Sequence, residues 1–125
     1  MMIGVGTDLV EIERVEKAAE SGPFLKHTFT EEERRQSGGR GSFLAGCFAV
    51  KEAVAKCFGT GFRGFSPVDI ECLRDEKGKP YVNLYGGAEA LFRELGGTRL
   101  LVSISDTRTL AAAFAVLEGR DHDGS

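Results

Sequence analysis

At 125 residues, 42% of them hydrophobic, the chain has the size of one domain and enough apolar side chains for a core. Its 16 basic and 19 acidic residues leave a formal net charge of −3, which argues against nonspecific binding to nucleic acid or an anionic membrane. The longest uncharged apolar run, residues 43–50, is far short of the roughly 20 residues that span a bilayer, and no basic n-region of a secretion signal opens the chain.

Residues 2–10 are β-branched and punctuated by glycine, which predicts a strand, and residues 11–20 carry helix formers until Ser21-Gly22-Pro23 interrupt them. Asp8 falls at or just inside the end of that strand. Thr30, with Glu33 three residues on, forms a capping-box pattern that announces a second, short helix, broken at residues 37–41. The longest helix is expected over residues 42–58, N-capped by Ser42 and closed by Gly59. At about 100° per residue, Phe43, Leu44, Cys47, Phe48, Val50, Val54, Cys57 and Phe58 make one broad apolar arc. Lys51 falls inside the arc; Glu52 lies just off its edge, and Lys56 shares Glu52's side. A lysine in a buried stripe must carry its ammonium out to water or meet an anion, because an unpaired buried charge is costly.

Glycine-rich residues 59–64 lead to a strand over 68–73, then a turn with Gly78 in its bend and a further strand in "KPYVNL". Ala88, Leu91, Phe92 and Leu95 repeat at helical spacing before Gly96-Gly97. "RLLVSISD" predicts a strand. "TLAAAFAVLE" is apolar almost all round, which favours a strand paired back across residues 106–108 over an alanine-rich helix. The class is α+β. Three cysteines, Cys47, Cys57 and Cys72, without CxxC spacing, suggest neither a disulfide framework nor a zinc site, so reduced, mostly buried thiols in a cytoplasmic protein are expected.

Among chemical constellations, a Ser-His-Asp set is not credible, since His27 sits in a loop and His122 in a polar tail expected to be disordered. "GTGFRG" lacks the lysine and serine of a phosphate-cradling loop and reads alone as a connector. What remains is a carboxylate pair, Asp8 and Glu52. Two such oxygens suit Mg²⁺, which keeps several waters and takes one or two carboxylates plus substrate phosphates. Equally, Asp8 could be a helix N-cap and Glu52 an i,i+4 partner of Lys56.

The segments "GVGTDLVEIERVE", "FTEEE", "FLAGCFAVKEAVAKCFGTGF", "DIECLRDEKGKPYV" and "LLVSISDTRTLAAAFAVLE", in this order and spacing, resemble the bacterial holo-[acyl-carrier-protein] synthases, the short 4′-phosphopantetheinyl transferases. The resemblance runs from Ile3 to about Glu118. It implies a transferase domain over residues 1–118, with residues 119–125 a polar, flexible tail. The implied fold is that of the 4′-phosphopantetheinyl transferases: a small antiparallel sheet packed with helices, one long central helix, and a site between subunits of a homotrimer.

The implied activity moves the 4′-phosphopantetheine of coenzyme A to a serine of apo acyl carrier protein, releasing 3′,5′-ADP, usually for fatty acid synthesis. By the resemblance, Asp8 and Glu52 match the Mg²⁺ ligands. Lys51 and Lys56 match lysines close to the phosphates and, with Glu52 as proton acceptor, would be catalytic. Gly59, Thr60 and Gly61 match the turn that the nucleotide approaches, with Ser105 and Asp106 the next coenzyme A contacts. Arg14 and Lys17 match the basic positions that face the carrier, although Glu13, Glu16 and Glu20 make an ordinary solvated helix face the alternative. Two positions depart from the pattern: Asp106 stands where many members have histidine, and Cys47 where many have arginine. Asp106 becomes either a third metal-side carboxylate or a turn residue. A catalytically silent carrier- or nucleotide-binding module and a Mg²⁺-dependent coenzyme A hydrolase are the competing readings.

Overall fold

Glycines 4 and 6 decide how the first strand packs. In the computed structural model, which describes residues 1–120, strand β1 (Met2–Glu11) lies against the long helix α4 (Gly41–Phe58). A Cβ at Gly6 would stand 2.9 Å from the Ala53 carbonyl carbon and 3.0 Å from the Cys57 amide, and closer still to the Ala53 oxygen; one at Gly4 would press on the Cys57 carbonyl. Only hydrogen at these positions lets strand and helix backbones meet.

Strand β5 (Leu110–Gly119) sits between β1 and β4 (Gly97–Asp106) in an antiparallel sheet ordered β1-β5-β4. The expected strand is present, but it alternates rather than being buried all round. Ala111, Ala113, Ala115 and Leu117 are buried beneath α4, whereas Phe114 on the opposite face is exposed. The small side chains allow the same close approach that the glycines allow in β1. The outer face of the sheet is left bare, with Val5 and Leu101 both in register with Val116, and Thr7 and Ser103 both in register with Phe114.

A short 3-10 helix, Pro67–Asp69, takes up the beginning of what the sequence suggested as a strand, and β2 (Ile70–Arg74) then pairs with β3 (Pro80–Leu84) in a second sheet. Gly78, at φ 84°, closes the hairpin, and the Asp75 carboxylate accepts from the amides of Lys77 and Lys79. Helix α1 (Ile12–Ala18) is shorter than expected. Ser21-Gly22-Pro23 both end it and begin an unexpected helix, α2 (Gly22–Thr28): Ser21 accepts from the Phe24 amide at 3.3 Å, and Pro23 sits in the first turn, where its missing N–H leaves nothing unpaired.

The capping box of Thr30 and Glu33 opens α3 (Glu31–Ser37) as the spacing predicts, and Gly38 closes it in the left-handed region. Ser42, however, is not the N-cap of α4. The helix starts at Gly41, with Arg40 at the cap position making no side-chain cap bond, so Ser42 lies inside the first turn; Gly59, at φ 81°, ends it as expected. Helix α5 (Gly86–Glu94) precedes β4.

The class is α+β, with Phe29, Val50, Val54, Ile70 and Leu117 fully buried around the central helix. All three cysteines are free and buried. Strand β5 reaches Gly119, whose amide donates to the Met1 carbonyl at 2.8 Å. Residues 121–125, with His122 and most of the expected tail, lie outside the described residues. Among the described residues no helix is long and apolar enough to cross a membrane.

Candidate active site

Asp8 stands inside β1, three residues before its end, and caps no helix; the cap position of α1 belongs to Glu11, which makes no side-chain cap bond. The close strand-to-helix contact brings Asp8 to the last turns of α4. There Lys56 Nζ donates to Asp8 Oδ1 at 3.1 Å and to the Thr7 carbonyl at 2.9 Å. Lys56 thus bonds across to β1.

Glu52 lies one turn earlier on the same side of α4. Burial raises its carboxyl above the usual carboxylate range, and the Asp8 charge raises it further, while Lys56 pulls the other way. The half-exposed Lys56 ammonium is paired with Asp8 and lies near enough to Glu52 to act on its charge, so two carboxylates stand near one cation. Asp8 and Glu52 are hard oxygen donors at a rim, a set suited to Mg²⁺ with waters and ligand oxygens completing its shell. Among the described residues, no group of three or more histidine, cysteine or acidic side chains converges on a metal position.

Asp8 and Lys56 also border an open cleft of about 630 Å³ that runs over the bare face of the sheet past Thr7, Ser103 and Ser105. Asp106 is exposed at the end of β4. The turn that follows is held by Thr107, whose amide donates to the Leu110 carbonyl at 2.8 Å and whose hydroxyl accepts from the amides of Thr109 and Leu110. Immediately beyond α4, Gly59 and Gly61 adopt φ of 81° and 64°, and the Thr60 hydroxyl donates to the Gly61 carbonyl at 3.1 Å. This turn begins three residues after Lys56. Arg14 of α1 borders a separate cavity of about 450 Å³ with Phe24, Phe48 and Leu110, whereas Lys17 is exposed in the last turn.

Lys51 requires a correction. The resemblance placed it at the phosphates, but its ammonium is sealed in the interior at 0% exposure, donating to Glu33 Oε1 at 2.9 Å, to the Pro67 carbonyl at 3.1 Å and to the Ile70 carbonyl. The anion that a buried lysine requires is Glu33, and Lys51 is not among the groups gathered around Asp8. Sequence reasoning saw Glu33 only as half of a capping box. The carboxylate serves that box and more, accepting from the Thr30 amide at 2.8 Å and, through Oε2, from the Cys72 amide at 2.8 Å. Buried Glu71, also missed, accepts from the hydroxyls of Thr30 and Tyr85 and from the Asn83 amide.

Cys47 is buried, with its Sγ donating to the Cys72 carbonyl at 3.4 Å; Cys72 and then burial push its thiol well up. Burial pushes Cys57 up to about 11.

Comparison with known proteins gives a consistent result. The family model described as the 4′-phosphopantetheinyl transferase superfamily matches residues 4–115. A holo-[acyl-carrier-protein] synthase of Lachnoclostridium phytofermentans is 50% identical over 118 residues, covering 94% of this chain and 97% of the relative. Among solved structures, an acyl carrier protein synthase of Plasmodium yoelii with ADP bound superposes with a TM-score of 0.87 at 31% identity, over 97% of this chain and 98% of that one. The Helicobacter pylori holo-[acyl-carrier-protein] synthase in complex with coenzyme A gives 0.82 at 28% identity, over 91% and 99%.

Proposed function

The chain belongs to the 4′-phosphopantetheinyl transferase superfamily, and on that premise we propose how its residues carry out the reaction of the holo-[acyl-carrier-protein] synthases it resembles. The reaction moves 4′-phosphopantetheine from coenzyme A to a serine hydroxyl of apo acyl carrier protein. The serine oxygen attacks the phosphorus bearing the pantetheine, the bond to the bridging oxygen breaks, and 3′,5′-ADP leaves. Negative charge grows on that bridging oxygen, so cationic groups beside it stabilise the transition state more than the ground state.

One observation carries the assignment of the site: Lys56 of α4 bonds to Asp8 of β1 at the edge of the cleft, with Glu52 one turn earlier on α4 close enough to feel the Asp8 charge. Asp8 and Glu52 would hold Mg²⁺, which when bound supplies Lewis acidity and offsets the diphosphate charge. The Lys56 ammonium, held at the rim by Asp8 and the Thr7 carbonyl, lies within reach of a leaving phosphate. Glu52 is the proton acceptor for the serine hydroxyl. Gly59, Thr60, Gly61 and Ser105 contact coenzyme A, with Asp106 one residue beyond. Lys51 has no part in that contact, because its donors are already used.

Arg14 faces the carrier protein, an assignment supported by the apolar cavity beside it; Lys17 adds a second positive charge on the same short helix. The bare sheet face supports a homotrimer with sites completed by neighbouring subunits, since Val5, Leu101 and Phe114 are 49%, 40% and 44% exposed there. Light scattering tests the subunit count, and a monomer that binds coenzyme A normally would refute the shared site. A cytoplasmic location fits the three unpaired cysteines.

The activity test is to incubate the protein with coenzyme A, Mg²⁺ and an apo carrier, and to weigh the carrier by mass spectrometry. A carrier heavier by one phosphopantetheine is expected. Free phosphopantetheine with an unchanged carrier would show a hydrolase instead, and no reaction would show a binding module.

A further inference from the structure

We propose that Glu33 is a positioning residue: through Lys51 it sets the rotation of α4, so that Glu52 and Lys56 face Asp8. The inference rests on the Asp8–Glu52 site proposed above. Lys51 and Glu52 are consecutive on α4, about 100° apart around the helix. An ammonium has three donors, and all three of Lys51's are taken, by Glu33 of α3 and by the carbonyls of Pro67 and Ile70.

Apolar packing is a poor judge of how α4 is turned. Of its 18 residues, 13 are buried, on nearly every side, and the surface it rests on is largely glycine and alanine. Contacts of that kind are non-directional, whereas the bonds at Lys51 are directional. With side chains about 5 Å from the axis, a rotation of about 20° would carry the Glu52 carboxylate about 2 Å, in a setting where about 1 Å of misplacement costs on the order of 100-fold.

Glu33 cannot follow a drifting lysine. One of its oxygens is shared between Lys51 and the Thr30 amide, and the other is held by the Cys72 amide, so helix, strand and cap all fix it. The carboxylate is 0% exposed, which leaves no water to substitute for a lost partner.

Removing either charge alone strands the other in the interior. The test therefore uses the double substitution Glu33→Gln with Lys51→Met. Three quantities are measured on parent and variant: thermal midpoint by circular dichroism, coenzyme A binding without metal by calorimetry, and Mn²⁺ binding to the coenzyme A complex by water-proton relaxation. The expected result is a folded variant to whose coenzyme A complex Mn²⁺ binds about 10- to 100-fold more weakly, as when an outer-shell partner is lost, with a smaller loss of metal-free coenzyme A affinity through the displaced Lys56.

Unchanged Mn²⁺ affinity would overturn the proposal and leave the pair a purely structural bond. A loss of metal-free coenzyme A affinity larger than the loss of Mn²⁺ affinity would overturn it in favour of a phosphate contact by Lys51. Should the double variant not fold, Lys51→Arg keeps the charge and alters the reach: weaker Mn²⁺ binding in a folded variant supports the proposal, and unchanged binding overturns it. A parent that takes up no Mn²⁺ with coenzyme A would overturn the metal site itself and this inference with it. That failure is separable, because it appears before any substitution is made.

Discussion

The two flanks of α4 treat the same chemistry in opposite ways. Lys51 and Glu33 are both 0% exposed, and every donor and acceptor between them is used. One residue further along the helix, Glu52 lies close enough to Asp8 and Lys56 to feel both charges, and the half-exposed Lys56 pairs with Asp8 beside a cleft. Charge sealed from water and fully partnered becomes architecture, because moving either group would strand the other. Charge left at a rim with its compensation incomplete is available to a ligand. Exposure and partner count, rather than residue type, separate the structural lysine from the one proposed to act on the substrate.

The largest effects should come from the open flank. Asp8→Ala and Glu52→Gln are each expected to reduce Mg²⁺-dependent transfer by about 100-fold or more, in line with the loss of a metal-ion or electrostatic contribution, while the circular dichroism spectrum stays that of the parent. Full activity in either variant, by carrier mass, would remove that residue from the site.

The comparison is sharpened by substituting the two lysines in parallel. Lys51→Met leaves Glu33 buried and unpaired and should cost about 3–5 kcal/mol in urea unfolding. Lys56→Met breaks a partly exposed pair and should cost less than about 1 kcal/mol, yet transfer should fall steeply. Equal stability losses would break the distinction between the flanks.

Gly6→Ala probes the contact that brings them together. Its Cβ would overlap the Ala53 carbonyl, so β1 must lift from α4, at about 1–3 kcal/mol and with Asp8 carried away from Glu52. Undiminished transfer would show that the close approach is not needed.

The smallest effect concerns pH. Burial and then the Asp8 charge raise the folded pKa of Glu52, so the protonated form is favoured by folding. That contribution to stability is fully present below the unfolded value and is lost as pH rises through the folded one. Glu52→Gln should consequently gain stability relative to the parent as pH rises from acid to neutral in metal-free buffer. Thermal midpoints across that range check it, and a constant difference would refute it.

Much of this was open to inspection before the fold was known. Asp8 and Glu52 could be picked out as a carboxylate pair at element edges that suits metal chemistry, Lys56 was added by the family resemblance, and the capping box of Thr30 and Glu33 is local enough to read directly. The arc on α4 showed that Lys51 needed an anion. Which anion was hidden, since Glu33 belongs to another helix and already had a local explanation. Local rules failed where two of them competed: Ser21-Gly22-Pro23 can stop a helix or start one, and Ser42 resembles a cap but lies inside the first turn of α4.

The amino-acid order alone determined which groups are charged, where every strand and most of the helices run to within a few residues, and that small residues at 4, 6, 111, 113 and 115 permit close packing. The tertiary structure decided the pairings. Lys51 joined Glu33 rather than a phosphate, and Lys56 bonded to Asp8 across 48 residues of chain. The physical reason is that the energy of a charge depends on its distance from water and from other charges, and both are properties of the folded molecule.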